Sequence, residues 1–413
     1  MGFKLFGFRR VGLLATCVML TAACSSAQPE ADASQVALRL ATFNVSMEAD
    51  NYLAEGERGD QQVLIERLAT GDEPQIRHIA EIIQRTRPDI ILLTEFDYID
   101  DPAQGVEAFI RNYLQQPQGG QATIDYPHYY YAPVNTGQPS PFDLDRSGEA
   151  TGTGADAWGF GKYPGQYGML LLSKYPIDIP NIRTFQHFLW RDMPGYSVTR
   201  TADGDLWYSP EAWAQFPLSS KSHWDVPVWV GTQRVHVLAS HPTPPVFDGP
   251  ENRNGHRNFD EIRFWLDYIQ GADYMYDDVG VHGGLAPATR FVIMGDLNAS
   301  PDEGDARRDG IANLLASDYV QGDITPTSEG AVAHSQDLVQ RGERELAHVA
   351  AHTASWRMRA DYVIPSRCGL EVIDAGVFWP PKGAPGYALV ASRGASSDHR
   401  LVWVDTQISA GCE

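Results

Sequence analysis

The stretch Arg290-Phe-Val-Ile-Met-Gly-Asp-Leu-Asn298 is an apolar run that ends abruptly in an acid and an amide. Four consecutive apolar residues without a polar face are typical of a strand that is buried on both sides. Asp296 and Asn298 follow at the strand end, where side chains from neighbouring strands can converge on one cleft. A single carboxylate at a strand end is usually a turn former or a cap, so the rest of the chain decides its meaning.

Other apolar runs in the chain end in the same way. Their terminal polar residues are Asn44, Glu95, His241, Asp361 and the pair Asp398-His399. Six such strand ends, all carrying residues that ligate metals or transfer protons, are not explained by turn formation alone. They predict one catalytic or metal-binding cleft.

The whole chain alternates short apolar runs with helical patterns and long irregular segments. Strands are predicted at 38–45, 89–94, 168–173, 226–240 (two strands around Gly231-Thr232), 290–294, 361–365 and 401–405, and helices at 74–86 and 258–269. The segments 97–165 and 178–225 lack a sustained period and are expected to be long loop insertions, which are usually functional. Residues 38–406 are therefore predicted to form one domain, followed by a C-terminal tail at 407–413.

Composition narrows the class of partner. The 413 residues include 32 Lys and Arg against 53 Asp and Glu, for a formal net charge of −21. A field of this sign repels polyphosphate unless cations are bound, which argues against an architectural or sequence-reading role on DNA. It leaves open phosphate chemistry that a metal carries out, with nucleic acid as a substrate only. No protein partner can be inferred.

The N-terminus has the pattern of an export signal. Residues 1–10 are short and basic, and the apolar run at 11–23 is too short for a permanent membrane span. The run Leu20-Thr-Ala-Ala-Cys24 resembles a bacterial lipobox, which implies a signal peptide at 1–23, acylation of Cys24 and a flexible tether at 24–37. The alternative is an ordinary cleaved signal. Either way the mature protein is expected in the cell envelope, in the periplasm or on the outer surface, or else secreted.

Two cysteines, Cys368 and Cys412, remain if Cys17 is removed with the signal and Cys24 is lipidated. In an exported chain they can form one disulfide that ties the C-terminal tail to the end of a strand. The alternative is two free buried thiols.

The strand-end residues resemble the motifs of the endonuclease/exonuclease/phosphatase superfamily, whose fold is that of deoxyribonuclease I. The matching pieces are Thr42-Phe-Asn44, Leu92-Leu-Thr-Glu95, Gly168 to Pro176, Ser240-His241, Gly295-Asp-Leu-Asn298, Asp361-Tyr-Val-Ile364 and Ser397-Asp-His399. This resemblance implies an α/β fold: a four-layer α/β/β/α sandwich with two mixed β-sheets and, here, long loop insertions.

The resemblance also implies roles for these residues. Glu95 is the principal ligand of Mg²⁺ or Mn²⁺, with Asn44 beside it and Asp398 able to join; hard oxygen ligands suit these cations. His399 is the general base, oriented by Asp361, while Asp296 holds the attacking water and remains a rival for the base. Asn298 binds a phosphate oxygen. His241 contacts phosphate or protonates the leaving oxygen.

Three further segments are candidates for binding. Asp143 and Asp145 open a run that resembles the start of a Ca²⁺ loop in which Asp156 could replace the missing final Glu; a plain Asx-rich turn is the alternative. Arg253, His256 and Arg257 precede a predicted helix and could hold phosphate, or could simply be solvated. Lys221, His223 and Asp225 could meet a substrate or pack locally. Gln166 stands where one branch of the superfamily has a Tyr, with Tyr167 shifted by one, so no Tyr–phosphate contact is assumed.

Together these patterns predict a metal-dependent phosphoester hydrolase that acts outside the cytoplasm. A small-molecule or lipid phosphoester is favoured as substrate because the insertions look like the walls of a pocket and carry few clustered cations. One alternative is a secreted endonuclease similar to deoxyribonuclease. An alternative of another class is a lipoprotein that uses the same fold for binding without catalysis.

Overall fold

A computed structural model describes Gly2, residues 37–337 and residues 346–409. The chain divides into two units, Met1–Asp32 and Ala33–Glu413, and every element below belongs to the second. Its strands are β1 (Ala37–Met47), β2 (Ile90–Phe96), β3 (His128–Tyr130), β4 (Met169–Ser173), β5 (Arg183–Thr184), β6 (His223–Val230), β7 (Gln233–Ser240), β8 (Phe291–Asp296), β9 (Asp361–Pro365), β10 (Leu370–Val377) and β11 (Val402–Ile408). Its α-helices are α1 (Gln61–Thr70), α2 (Pro74–Thr86), α3 (Val106–Phe109), α4 (Pro210–Trp213), α5 (Arg253–Ile269), α6 (Arg308–Leu315), α7 (Glu329–Asp337) and α8 (Leu346–Val349).

The strands form two mixed sheets. One has six strands in the order β10-β11-β1-β2-β4-β3, and the other has five in the order β5-β6-β7-β8-β9. Only β1–β2 and β7–β8 are parallel pairs; the remaining neighbours are antiparallel. The predicted pair of mixed sheets is confirmed.

Successive side chains of β8 point into two different cores, and this alternation shows how the layers stack. Val292 and Met294 belong to a core shared with Phe43 and Leu93 of the six-stranded sheet, whereas Ile293 belongs to a second core with Trp265 of α5. Because successive side chains of a strand point to opposite faces, β8 lies between the other sheet and a helical layer. Helices α1 and α2 bury their apolar residues in the first core and so cover the outer face of the six-stranded sheet. This arrangement is the four-layer sandwich.

The structure corrects several predicted boundaries. Helix α5 begins at Arg253 rather than 258. Arg253, His256 and Arg257, which were expected to precede the helix, therefore lie in its first turns. Helix α1 falls in a stretch that lacked a clear pattern, because only Leu64 and Leu68 are fully buried there. Strand β10 was also not predicted, since much of it is exposed at a sheet edge. None of the helices in the described ranges combines the length and apolarity needed to cross a membrane.

Candidate active site

Asp296 lies at the end of β8, and one of its oxygens is surrounded by side chains from distant parts of the chain. Its Oδ2 accepts a hydrogen bond from Asn44 Nδ2 at 3.1 Å. The same oxygen lies 3.4 Å from Nε2 of His241 and 3.5 Å from Nε2 of His399. Its Oδ1 accepts the backbone N–H of Asn298 at 3.0 Å. Five residues that the sequence predicts to converge therefore meet at one carboxylate.

The local backbone explains how Asp296 and His241 come together. Gly295 has φ 154°, and a Cβ at this position would collide with the carbonyl oxygen of Ser240, so only Gly lets the ends of β7 and β8 approach so closely. Asn298 takes a left-handed conformation with φ 52°, which Asn tolerates better than most residues. Its Nδ2 donates to the carbonyl oxygen of Pro242 at 3.2 Å.

His399 is held by a second carboxylate. Asp361 is the direct cross-strand partner of Asp296, and its Oδ2 lies 2.9 Å from Nδ1 of His399. The same oxygen accepts a hydrogen bond from Thr353 Oγ1 at 2.6 Å. Trp356 packs edge-on against the His399 ring, with 4.7 Å between the ring centroids. These contacts fix the orientation of the imidazole. No sequence pattern indicated Thr353 or Trp356, because both lie in a segment without regular periodicity.

Burial and neighbouring charges shift the pKa values in opposite directions. Burial alone would lower the pKa of His399, but Asp361 and Asp296 outweigh it and raise the pKa to about 10. Burial alone would raise the pKa of Asp296, yet His399 and His241 hold it well below its usual range. Burial raises the pKa of Asp361 to about 6, against the effect of His399. Burial, helped by Lys221, lowers the pKa of His241 to about 4. With no metal bound, His399 is therefore cationic and His241 neutral at pH 7.

Glu95 and Asp398 offer oxygen donors beside this centre. Glu95 is the penultimate residue of β2 and has φ 57°, opposite an irregularity in β1 between Asn44 and Met47. Such bulges commonly re-aim side chains next to active sites. Burial raises the pKa of the Glu95 carboxyl to about 7, so a nearby cation would stabilise its ionised form. Asp398 accepts a hydrogen bond from Ser46 and pairs with Arg393 at 3.2 Å. This all-oxygen donor set fits Mg²⁺ or Mn²⁺.

A different group in this centre has closely spaced ligand atoms. Those of Asp296, Asp361 and His399 lie within 4.8 Å of one another. The imidazole nitrogen Nδ1 already faces Asp361, however. This trio is therefore better described as a charged hydrogen-bonded network than as an open metal site.

Many of these groups border one cavity of about 810 Å³, whereas Asn44, Thr353 and Asp361 lie behind its lining. Glu95, Asp296, Asn298, Asp398 and His399 line one part of it. Apolar side chains line another part: Phe160, Phe216, Pro245, Val246 and Phe247. The cationic residues Lys221, Arg253 and Arg257 also reach it.

The sequence model of the endonuclease/exonuclease/phosphatase family matches residues 41–399. This chain belongs to that family. Most members of the family are metal-dependent hydrolases of phosphoesters, and the acidic groups around the cavity could hold a metal.

Solved structures similar to this family member are distant in sequence. An endonuclease/exonuclease/phosphatase from Beutenbergia cavernae is 16% identical, with 90% of this chain and 72% of that chain covered and a TM-score of 0.46. The human nocturnin catalytic domain with bound sulfate is 13% identical (91% and 96% covered, TM-score 0.42). Sphingomyelinase C from Streptomyces griseocarneus is 15% identical (90% and 99% covered, TM-score 0.42). No curated protein matches the chain.

Not every predicted binding residue of this family member reaches the cavity. Arg253 and Arg257 do, whereas His256 does not line it and its Nδ1 lies 2.9 Å from Oγ1 of Thr199. Lys221 lines the cavity. His223 and Asp225 do not: His223 Nε2 faces the carbonyl oxygen of Glu261 at 2.9 Å, and Asp225 contacts His236 and Tyr268.

Tyr167 lines the cavity, although its position in the sequence, shifted by one from the Tyr of one branch of the family, predicts no contact with phosphate. It has φ 58° and lies in the wall with Glu95, and burial raises the pKa of its hydroxyl. Its neighbour Gln166 donates instead to Glu48 at 3.0 Å. The signal that could have found Tyr167 is its place directly before Gly168 and β4.

The acidic loop, defined here as Asp143, Asp145 and Asp156, does come together. One carboxylate oxygen from each lies within 4.8 Å of the others. Asp156 Oδ1 accepts the N–H of Leu144 at 2.7 Å, and its Oδ2 accepts the N–H of Thr151 at 2.9 Å. The loop thus has the spacing of a cation site, while its oxygens already bind backbone donors.

The cysteine predictions concern residues that are only partly within the described ranges. Cys368 lies just before β10 and is disulfide-bonded. Cys24 and Cys412 lie outside the described residues. Acylation of Cys24 and the pairing of Cys368 with Cys412 stay predictions.

Proposed function

We propose that this chain hydrolyses small-molecule or lipid phosphoesters with the help of Mg²⁺ or Mn²⁺. The observation that carries the proposal is the sharing of Asp296 Oδ2 by Asn44, His241 and His399 at the wall of one cavity. Independent strand ends converge there on groups that bind and transfer protons. Such convergence is what hydrolysis of a phosphate ester requires.

The roles follow from position and protonation. Asp361 and Thr353 hold the His399 ring so that its Nε2 faces Asp296. Asp296 and His399 are the two candidates for the group that takes the proton of the attacking water. In the protonation state described above Asp296 is the acceptor, because its low pKa keeps it ionised while His399 is cationic; His399 acts as the base only after it has lost its own proton. Asn298 and neutral His241 face the phosphate oxygens.

Glu95 and Asp398, with Asn44 beside them, would hold the divalent cation. When bound, this cation supplies Lewis-acid neutralisation of a non-bridging phosphate oxygen. The residues of the chain then need only to position the ester and move one proton.

The preference for a small or lipid-borne substrate comes from the cavity. Its volume of about 810 Å³ lies in the range of ligand pockets, and Phe216, Val246 and Phe247 give it an apolar side. The net charge of −21 disfavours long polyanions. Together these features support a compact organic phosphoester.

We place this activity outside the cytoplasm, on a protein anchored to the membrane through a lipid on Cys24. The support is the basic and apolar leader at residues 1–23 and the small-residue run before Cys24. Incorporation of labelled palmitate into the native chain but not into Cys24→Ser tests the anchor. Equal labelling of both would exclude it.

The experiment that tests the activity is a hydrolysis assay of purified mature protein with Mg²⁺ or Mn²⁺, beside His399→Ala and Glu95→Ala. The substrates are DNA, RNA, sphingomyelin, phosphoinositides and simple diesters. We expect turnover of small or lipid esters that both substitutions abolish. Cleavage of DNA alone would instead establish a secreted endonuclease. Binding without turnover would establish a non-catalytic binding lipoprotein. Undiminished activity of both variants would contradict the assigned centre.

A further inference from the structure

Arg257 is a buried cation that forms no ion pair within 4.0 Å with any acid in the described part of the chain. Its side chain belongs to a residue only 7% exposed, on the first turns of α5. Nε donates to the carbonyl oxygen of Leu218 at 2.9 Å, and Nη2 donates to those of Trp158 and Pro217 at 2.8 and 3.0 Å. Within the described ranges, its Nη1 makes no hydrogen bond, and the residue lines the cavity. Its fork is therefore held rigidly and has a donor to spare.

Two neighbours in the same wall also have uncommitted donors. Tyr208 packs its ring on Phe216, 4.7 Å between centroids, and its hydroxyl has no hydrogen-bond partner among the residues that the structure describes. Burial raises the pKa of this hydroxyl to about 12, and Arg257 and Arg253 act against that rise, so both guanidinium groups lie near it. Arg253 uses Nη1 to pair with Glu251 and stacks over Trp207.

Lys221 is a further basic residue in the wall of the same cavity. It is 4% exposed, lines the cavity and forms no ion pair within 4.0 Å with any described acid. Its pKa is lowered by burial and by Arg257, and raised by Glu261, Glu95 and Asp296. The amino group of Lys221 therefore interacts electrostatically both with Arg257 and with the acids of the centre.

Glu261 acts electrostatically on both Lys221 and Arg257, but it forms no ion pair within 4.0 Å with either of them among the described residues. Glu261 spends its two oxygens on the backbone N–H groups of Ser220 and Thr243, each at 2.6 Å. Buried charges are costly unless they are paired, so a cavity wall with surplus cations and free donors is suited to an anion from outside the chain. Charge-assisted hydrogen bonds from guanidinium groups to phosphate are strong. Arg257 contributes only its Nη1 to such a contact, because its Nε and Nη2 already donate to carbonyl oxygens.

We infer that Arg253, Arg257 and Tyr208 form a second phosphate subsite in the cavity that the Asp296 centre borders, with Lys221 in the lining of the same cavity. The substrate is then an organic phosphoester that carries a second phosphate apart from the scissile one, with its organic part against Phe216 and Val246. This inference rests on the proposed function, since it names the substrate class of the same cavity.

A matched pair of chromogenic esters tests the subsite. The probes are thymidine 5′-(p-nitrophenyl phosphate) and its 3′-phosphorylated form, which differ only in the second phosphate. We expect kcat/KM to be about 10- to 100-fold higher for the 3′-phosphorylated ester, as for the loss of charge-assisted hydrogen bonds. In the double variant Arg253→Ala/Tyr208→Phe this preference falls towards one.

Two controls keep the test specific. Arg263→Ala removes a cation from the same helix whose guanidinium binds the carbonyl oxygens of Pro194 and Gly195 rather than lining the cavity, and it should keep the preference. Arg257→Lys keeps the charge but loses the fork, and should reduce the preference partly. Melting temperatures of all variants identify any that fail to fold.

Calorimetric binding of thymidine 3′,5′-bisphosphate and thymidine 5′-monophosphate separates the two proposals. Tighter binding of the bisphosphate that depends on Arg253 and Tyr208, without hydrolysis of either ester, would support the subsite and contradict the proposed function. Equal hydrolysis and equal binding of both members of each pair would overturn the subsite and leave the function standing. Loss of the preference in Arg263→Ala, or no binding of either nucleotide, would also overturn it.

Discussion

Among the residues that the structure describes, two groups of acids have oxygens close enough to share a cation, and the two groups are built differently. In the acidic loop the three carboxylates come from a 14-residue segment, 143–156, and accept N–H groups of that same segment. In the centre, the Asp296 carboxylate is contacted by Asn44, His241 and His399. The Asp361 carboxylate is contacted by His399 and Thr353. These partners come from parts of the chain that are far apart in the sequence. The first cluster is a product of local turn geometry, and the second exists only once both sheets have packed.

The difference lies in what the negative charge is used for. In the acidic loop, backbone N–H groups donate hydrogen bonds to the carboxylates, as in ordinary Asx turns. These hydrogen bonds stabilise the turn. In the centre, the partners are imidazoles and amides whose own protonation or orientation changes in response. His399 and Asp361 shift each other's pKa, whereas the loop aspartates act as fixed hydrogen-bond acceptors.

The largest expected contrast is in catalysis. His399→Ala should lower kcat by about 10²- to 10⁴-fold, the usual contribution of a positioned acid or base, because it removes the group that faces Asp296. Asp145→Asn is the matched control in the acidic loop and should leave kcat within about twofold. Steady-state assays with Mg²⁺ measure both. A comparable loss in Asp145→Asn would show that the loop takes part in the reaction.

The sequence predicted the two clusters for different reasons. Asp143 and Asp145 form a local motif, so their proximity follows from spacing, although the participation of Asp156 depended on the loop closing. Asp296, Asp361 and His399 were predicted as polar ends of apolar runs and because the set resembles one family. Only Asp296 ends its strand; Asp361 is instead the first residue of β9, and His399 lies just before β11. The distances between these three side chains could not be predicted. They depend on the register of β8 with β9 and on the close approach of β7 and β8 at Gly295.

What the sequence missed are residues whose role arises only from packing. Thr353 orients Asp361, and Tyr208 faces two arginines, yet both lie in stretches without periodicity. The late start predicted for α5 had the same cause: its first turns are polar, so the apolar period begins only at 258 and later. Strand interiors were predictable from apolar runs, whereas loop side chains were not.

The second contrast is in how stability depends on pH without metal. The pKa of His399 is raised to about 10 from an unfolded value near 6.5, so its contribution is fully present below pH 6.5 and is lost as the pH rises through 10. We expect the stability advantage of wild type over His399→Gln to shrink by about 1–3 kcal/mol between pH 6.5 and 9. Urea unfolding in a chelating buffer measures this. Asp145→Asn should leave the difference from wild type constant over that range, and a constant advantage over His399→Gln would contradict the assigned pairing.

A smaller effect is expected from the buried member of the acidic loop. Asp156 is 1% exposed and accepts hydrogen bonds from Leu144, Asp145 and Thr151. Asp156→Asn turns an NH₂ group towards these donors, and we expect it to cost about 1–2 kcal/mol of unfolding free energy while leaving kcat nearly unchanged. Chemical denaturation and assays of the folded fraction test this. Full stability of Asp156→Asn would mean that the loop does not depend on that carboxylate.

The smallest expected effect is the shift in melting temperature that added cations cause, and it should differ between the centre and the acidic loop. A ligand that binds only the folded state raises the melting temperature, so Mg²⁺ should stabilise wild type and not Glu95→Gln. In Glu95→Gln, 1 mM Ca²⁺ should raise the melting temperature by less than about 1 °C, because the loop lacks a bidentate Glu at the final position of a Ca²⁺ loop and its oxygens already accept backbone N–H groups. A larger calcium shift that disappears in the double variant Glu95→Gln/Asp143→Asn would show that the loop binds calcium, as its motif predicts. The same carboxylates would then accept backbone hydrogen bonds and also bind calcium. The two clusters would both be cation sites, and they would differ in their affinity for the cation.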